Sequence, residues 1–320
     1  PCQADGSVIQ GLAITAANTR AGEVVANWNF SAKPMPEGRY RDFHHKVTSY
    51  VRRLSDPAVD IDPLATARVY PLVVSDDPES VFQYVDTATS RAQIVGASRK
   101  LMLGNVAILG LGGTGGYILD LLAKTPVGRI HLFDGDTFDQ HNAFRAPGAA
   151  AGADLAEKML KVEYFRRAYS RMHKGIVAHP GFITPDNLGQ LDEMDFVFVA
   201  MEAGDTKRLV VERLLARGIS FIDVGMGVYL TPAEQIGGTL RVTTATPGKH
   251  DHLGETMPFS DGGVKNEYDK NIQIADLNAL NAALAVIRWK TLWGFYACQT
   301  KAHHTKFAIG RHEISNEEIA

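Results

Sequence analysis

The chain has 320 residues, of which 45% are hydrophobic and 22% are charged, and its net charge is −3. These values are typical of a soluble globular protein with one main domain and a smaller one, and they argue against nucleic acid as a partner because no broad basic field is present. Two cysteines, Cys2 and Cys298, exclude a disulfide framework and favour the reducing cytoplasm. No signal-peptide pattern and no membrane-spanning apolar run occur, and the start at Pro1 suggests a fragment or a processed form.

The first 90 residues are predicted to form an α+β extension that differs in pattern from the rest of the chain. Its predicted elements are a strand at 23–29, a helix at 40–54, a Pro- and Asp-rich link at 56–63 and a strand-like stretch at 67–74. The run Asp76-Asp77-Pro78-Glu79 then predicts a helix start, because acidic residues are favourable at the positive end of the helix dipole.

From residue 91 onward, buried strand patterns alternate with helical ones. The predicted elements are strands at 105–109, 129–133, 195–200 and 220–224, and helices at 116–124, 154–171 and 205–217. This alternation predicts an α/β fold with a Rossmann-like, mostly parallel sheet covered on both faces. Polar strands near 237–246, a loop at 246–269 and a long helix at 271–296 follow. A loop of this length in a compact domain is usually functional or disordered.

A glycine-rich turn joins the first of these strands to a helix. It consists of Gly110, Leu111, Gly112, Gly113, Thr114 and Gly115. Glycines allow a tight turn and a close approach of backbone to phosphate, and the free N–H groups at the helix start hold the anion. Asp134 ends the next strand, where an acid is expected to bind ribose hydroxyls. The turn therefore predicts a nucleotide site, which an ATP enzyme and a nicotinamide dehydrogenase would share.

Polar residues at fixed offsets after this strand separate the two alternatives. Counting from Asp134, Asp136 stands at offset 2, Asn142 at 8, Arg145 at 11 and Lys158 at 24. With the glycine turn, this pattern resembles the ThiF/MoeB/HesA superfamily, which includes the catalytic domains of ubiquitin-activating enzymes. The resemblance covers about residues 91–298.

The resemblance implies that the chain uses ATP and Mg²⁺ to adenylate a carboxylate. Arg145 and Lys158 would bind the phosphates and stabilise the charge that builds at the α-phosphate, because guanidinium and ammonium groups suit phosphate oxygens. Asn142 would donate to a phosphate or fix Arg145; alternatively, it caps a turn. Asp134 would bind the ribose, with Asp136 in support.

The expected metal position departs from the family pattern. The family usually has an Asp for Mg²⁺ after the strand at 195–200, and Glu202 occupies that place here, with Asp205 as the other candidate ligand. Upstream, Ser90-Arg91-Ala92-Gln93-Ile94 resembles the segment whose Arg reaches the nucleotide, often from the partner subunit of a dimer. Arg91 is the candidate for this role; the alternative is an ordinary surface arginine.

A nucleophile for a second transfer step is not evident. Ubiquitin-activating enzymes usually carry a cysteine in or near the segment that crosses over the bound tail, because a thiolate suits a two-step transfer. The loop at 246–269 is the crossover candidate and contains no cysteine. Cys298 resembles a core residue, and Thr256 and Ser260 are the hydroxyls available in the loop. The enzyme could also stop at the acyl-adenylate.

The sequence thus predicts an accessory region at 1–90 and a ThiF-type adenylation domain at 91–320. The predicted substrate is the C-terminal carboxylate of a ubiquitin-like or sulfur-carrier protein with a Gly-ended tail, in a bacterial ubiquitin-like conjugation pathway. The family implies a homodimer, and the accessory region would receive a carrier, receive a conjugating enzyme or only complete the fold. The alternatives are a small-molecule adenylyltransferase of the same fold, a non-catalytic scaffold and an NAD-dependent oxidoreductase.

Overall fold

The computed structural model describes residues 1–21, 24–66, 72–75, 77–259, 272–300 and 302–317. The chain divides into two compact units, Pro1–Leu72 and Val73–Ala320. Within the described residues, no helix is both long enough and apolar enough to cross a membrane.

The smaller unit pairs a two-stranded antiparallel sheet with one long helix. The strands are β1, Ala13–Ala21, and β2, Val24–Ser31, and the helix is α1, Phe43–Ile61. The carboxylate of Asp42 caps α1 by accepting a hydrogen bond from the backbone N–H of His45 at 2.6 Å. This arrangement confirms the predicted N-terminal α+β extension.

Two local predictions in the N-terminal region are wrong. The predicted link at 56–63 is mostly helical, because α1 runs through Pro57 and still closes with a bond from the N–H of Asp62 to the carbonyl of Ala58. In place of the predicted helix start at 76–79, the described residues 77–79 form a turn in which the side chain of Asp77 accepts from the N–H of Glu79 at 2.9 Å. The stretch predicted as a strand at 67–74 lies mostly outside the described residues.

The larger unit is built on an eight-stranded sheet. Its strands are β3, Asn105–Leu109; β4, Arg129–Asp134; β5, Ile176–Pro180; β6, Phe196–Val199; β7, Phe221–Leu230; β8, Ile236–Ala245; β9, His304–Ala308; and β10, Glu313–Glu317. The order is β10-β9-β8-β7-β6-β3-β4-β5. The five strands from β7 to β5 are mutually parallel, and β8 to β10 continue the sheet antiparallel.

Helices cover both faces of this sheet. They are α2, Thr87–Arg91; α3, Val95–Arg99; α4, Gly113–Leu122; α5, Gln140–Ala143; α6, Gly152–Ala156; α7, Lys161–Tyr169; α8, Asp205–Arg217; α9, Leu253–Thr256; and α10, Ala275–Leu292. One core packs α4, α7 and α10 on the sheet, and a second packs α8 and α9 on the opposite face. The predicted α/β fold with a Rossmann-like, mostly parallel sheet is thereby confirmed.

Candidate active site

The glycine turn is shaped by close backbone contacts at the carboxyl end of β3. Gly110 has φ +89°, and a Cβ on it would lie 2.5 Å from the carbonyl oxygen of Ala200. A Cβ on Gly115 would overlap the carbonyl oxygen of Gly110. Gly112 is the N-cap of α4, and none of the side chains that the structure describes caps this helix start. The first N–H groups of α4 are therefore free to bind an anion.

Asp134 links this turn to the loop after β4. One of its carboxylate oxygens accepts from the N–H of Leu111 at 2.6 Å, and the other accepts from the N–H of Asp136 at 2.8 Å. The residue is 9% exposed. Because a carboxylate offers about four acceptor positions, Asp134 fixes both loops and can still accept from a ligand hydroxyl.

Lys161 was missed by the sequence interpretation and lies in the same cluster. Its ammonium nitrogen is 2.6 Å from an oxygen of Asp136 and 3.7 Å from one of Asp134, and its side chain is 7% exposed. The N–H of Lys161 donates to the carbonyl of Asp136 and the N–H of Phe138 to that of Met159, so the two segments are joined by backbone bonds. Two acids and one buried cation therefore meet at the carboxyl edge of the sheet.

Lys158 forms an ion pair with a different acidic residue, Asp139, and is exposed. Its ammonium nitrogen is 2.9 Å from Asp139, with the lysine side chain 68% exposed, and this contact holds the pKa of Asp139 below its usual value. Lys158 has φ +52° in the break between α6 and α7, where one continuous helix was predicted. The two lysines therefore differ sharply in burial and in partner.

Asn142 and Arg145 bring unpaired nitrogen donors to the same region. The side-chain oxygen of Asn142 accepts from the N–H of Asp139 at 2.8 Å, so the residue does complete a turn. Its buried Nδ2 has no hydrogen-bond partner within the described residues, and neither has the buried Nε of Arg145. Buried donors are normally satisfied, so both nitrogens suit an acceptor that the described part of the chain does not provide.

Thr114 and Asn278 connect this Arg145 segment to the glycine turn. The Thr114 hydroxyl donates to Oδ1 of Asn278 at 3.0 Å, and Nδ2 of Asn278 donates to the carbonyl of Arg145 at 3.4 Å. The single hydroxyl proton of Thr114 is used in this bond, so the group of Thr114 that can donate to an anion is its backbone N–H.

The predicted metal ligands follow β6. Glu202 and Asp205 are both exposed, and Asp205 is the first residue of α8. Within the described ranges, no group of three or more His, Cys, Asp or Glu side chains is arranged to hold a metal. Mg²⁺ that is bound mainly by substrate phosphates needs only one or two protein carboxylates, so these side chains fit that mode of binding.

The remaining candidates stand apart from this cluster. Arg91 is exposed at the last residue of α2, and no described contact brings it to the glycine turn. Cys298 is exposed, contrary to the prediction of a core residue, and its thiol donates to the carbonyl of Thr300. The Thr256 hydroxyl donates to the carbonyl of His252 at 2.9 Å. Ser260 lies outside the described residues.

A buried ion triad on the α8 face anchors α9, which lies within the crossover candidate at 246–269. Asp223 is fully buried between Lys207, at 2.5 Å, and Arg241, at 2.9 Å. Burial lowers the pKa of Lys207, and the attraction of Asp223 opposes this effect. Arg241 also donates to the carbonyl of Thr256 at 2.8 Å and thereby ties α9 to the sheet.

Sequence comparison agrees with this geometry. The ThiF family profile matches residues 88–276, and the chain belongs to that family. A second profile, Domain of unknown function (DUF6791), matches residues 1–87. Among curated proteins, none matches the chain at a significant level.

Solved structures show the same fold at low sequence identity. Escherichia coli MccB bound to MccA-N7isoASN has 18% identity and a TM-score of 0.57, with 73% of this chain and 71% of that chain covered. MccB with ATP gives 18% and 0.56, with 72% and 71% covered. PaaA gives 18% and 0.56, with 87% and 83% covered. At this identity the likeness shows the ThiF-type adenylyltransferase fold.

Proposed function

We propose that the chain binds ATP·Mg²⁺ at the glycine turn and adenylates the C-terminal carboxylate of a ubiquitin-like or sulfur-carrier protein. The observation that carries this proposal is that three features meet at one edge of the sheet: the start of α4, a buried acid–lysine cluster and two buried nitrogen donors. Among the described residues, no side chain caps that helix start and neither donor has a partner. The helix start and the two donors favour phosphate oxygens, and the carboxylate of Asp134 in the cluster favours ribose hydroxyls. MccB, which has a similar fold, has been solved with ATP.

The proposed reaction needs no base from the enzyme. An oxygen of the substrate carboxylate attacks the α-phosphorus of ATP, the bond to the β-phosphate bridging oxygen breaks, and pyrophosphate leaves with that electron pair. Negative charge builds on the phosphates during this step. The chain's contribution is positioning and charge stabilisation, with the N–H groups of α4 and the side chain of Arg145 as donors.

We assign the phosphate-binding lysine to Lys161 in preference to Lys158. Lys161 is buried beside Asp134 and Asp136, whereas Lys158 is exposed on Asp139. A buried ammonium group acts in a lower effective dielectric, where its stabilisation of charge is larger. Glu202 and Asp205 would hold Mg²⁺, which would neutralise phosphate charge.

A substrate tail that ends in glycine is what the family resemblance implies. MccB has been solved with MccA bound, so a peptide substrate is compatible with the fold. A contact of Arg91 with the nucleotide and assembly of the chain as a homodimer are proposals that follow from the family resemblance. The DUF6791 region would then receive the carrier or a conjugating enzyme.

The experiment is incubation of the protein with ATP·Mg²⁺ and ubiquitin-like or sulfur-carrier proteins that end in Gly-Gly, read by intact mass. The expected result is a carrier heavier by one AMP, absent when the carrier lacks its last glycine. A parallel titration compares ATP with NAD. No adenylate with any carrier, together with no binding of ATP, would refute the proposal. Binding of NAD alone would favour an oxidoreductase.

A further inference from the structure

Asn278 is one of two amide residues, with Asn281, on the otherwise apolar buried face of α10. The residue is 0% exposed, and Ala282, Ala285 and Trp289 on the same helix are buried in the core. An amide in such a place is costly unless both of its ends form hydrogen bonds. Its partners therefore indicate why an amide stands there.

The two ends of the Asn278 amide bind two separate parts of the candidate site. Oδ1 accepts from the hydroxyl of Thr114, in the first turn of α4, at 3.0 Å. Nδ2 donates to the main-chain carbonyl of Arg145 at 3.4 Å. One rigid group thus spans the anion-binding helix start and the backbone of the arginine.

Gly113 makes this arrangement possible. A Cβ on Gly113 would overlap both the nitrogen and the carbon of the Asn278 amide. The amide therefore lies directly against the backbone of the first turn of α4. One turn further along α4, a Cβ on Gly116 would lie 3.1 Å from Pro147, two residues after Arg145. The Arg145 segment and α4 are held together at both places.

We propose that Asn278 is a positioning residue whose amide sets the place of Arg145 relative to the phosphate-binding start of α4. Asn278 does not touch the nucleotide and acts through the main chain of Arg145. The inference rests on the proposed function, because Arg145 must bind ATP for the positioning to matter. A measurement made without nucleotide distinguishes a failure of this inference from a failure of the proposed function.

Asn281 supplies a matched control on the same helix. It is also 0% exposed, and its Nδ2 donates to the carbonyl of Gly225 at 3.1 Å, in β7 rather than at the glycine turn. Asn278→Ala and Asn281→Ala each remove one buried amide, so both should lower the melting temperature. Asn278→Asp is the sharper variant because it keeps an acceptor for Thr114 and removes the donor to Arg145.

The first measurement is the affinity for ATP·Mg²⁺ by calorimetry. Asn278→Ala and Asn278→Asp should each weaken binding by at least about tenfold, and Asn281→Ala by less than about twofold. In an Arg145→Ala background, Asn278→Asp should cause less than about twofold further loss, since the guanidinium that it positions is gone. Equal losses for Asn278→Ala and Asn281→Ala, or an undiminished loss in the Arg145→Ala background, would overturn the inference.

The second measurement is hydrogen exchange of the peptide that covers residues 139–150, without nucleotide. Asn278→Asp should speed exchange there, and Asn281→Ala should not. If the wild-type protein does not bind ATP but the peptide loosens as expected, the proposed function fails and the positioning of the segment stands. If the peptide exchanges at the wild-type rate, the inference fails whatever ATP does.

Discussion

The ammonium group of Lys161 lies 2.6 Å from a carboxylate oxygen of Asp136. Lys161 is the first residue of α7, and the inner face of this helix is otherwise apolar. Val162, Tyr164 and Phe165 on that helix are buried in the core. The ammonium group of Lys161 is therefore stabilised by Asp134 and Asp136 rather than by water, and it lies against the loop after β4. This contact defines the electrostatics of the candidate site.

Replacement of this lysine should be far more damaging than replacement of its neighbour. Lys161→Met keeps the length of the side chain and removes the charge, and we expect adenylation to fall by at least about 100-fold. Lys158→Met removes an exposed ion pair, so the rate should change by no more than about fivefold. The measurement is the initial rate of carrier adenylation, with melting temperatures to show that both variants fold. The reverse order of effects would restore Lys158 to the role.

Gly110 should tolerate no side chain. Gly110→Ala would need φ near +89° and would place its Cβ 2.5 Å from the carbonyl oxygen of Ala200. We expect a loss of at least about 2 kcal/mol in the free energy of unfolding. Gly148→Ala is the control, because Gly148 also has positive φ, at +79°, but no atom lies near its Cβ position. Equal losses in urea unfolding would show that the close contact has no cost.

The buried triad predicts a strong asymmetry between its members. Asp223→Asn leaves Lys207 and Arg241 without their shared carboxylate, and we expect a loss of about 3–5 kcal/mol in stability. Lys207→Met in addition should recover part of this loss, because it removes one of the two uncompensated cations. Urea unfolding of the single and double variants tests this. A double variant that is less stable than Asp223→Asn would contradict the account.

A histidine pair at the β4–β5 edge predicts a pH dependence of stability. His131 contacts His179 at 2.9 Å and Asn105 at 3.1 Å, and the His179 ring stacks on Phe133. Burial, then His179 and Arg129, lower the pKa of His131 from 6.5 to about 4, and burial lowers that of His179. Between these values the unfolded chain binds more protons than the folded chain, so stability should fall as the pH drops from 6.5 to 4.

The test compares the slope of unfolding free energy against pH in two variants. His131→Gln should flatten the slope in this window, by less than about 1.4 kcal/mol per pH unit. His141→Gln, at an exposed position, should leave it unchanged. Other buried histidines, His173, His252 and His304, act in the same direction and remain in both variants. An unchanged slope in His131→Gln would contradict the assignment.

Local sequence patterns were sufficient for the elements that build the sheet. The structure places β3 and α8 at the predicted residues, because a short apolar run and an amphipathic period are both local properties. The predicted helix at 154–171 fails for a non-local reason. Backbone bonds from Phe138 to Met159 and from Lys161 to Asp136 break it into two pieces. No pattern within that stretch could show this pairing.

The same pairing explains what sequence reasoning missed at the site. Counting 24 residues from Asp134 led to Lys158, because a fixed offset assumes that the connection between the two positions has the same length and conformation in every family member. The signal for Lys161 was a lysine at the start of an apolar helix face, three and four residues before Tyr164 and Phe165. Asn278 had no comparable signal, since its partners Thr114 and Arg145 lie more than 130 residues away in the chain. Such contacts come only from the fold.

The most direct test of the central claim is the exchange of labelled pyrophosphate into ATP in the presence of a Gly-Gly-ended carrier. This exchange requires reversible attack of the carrier carboxylate on the α-phosphate. We predict exchange with the wild-type protein that depends on Mg²⁺ and on the last glycine of the carrier, and its loss in Arg145→Ala despite an intact fold. Exchange that persists undiminished in Arg145→Ala, or wild-type protein that binds ATP without any exchange, would contradict the account.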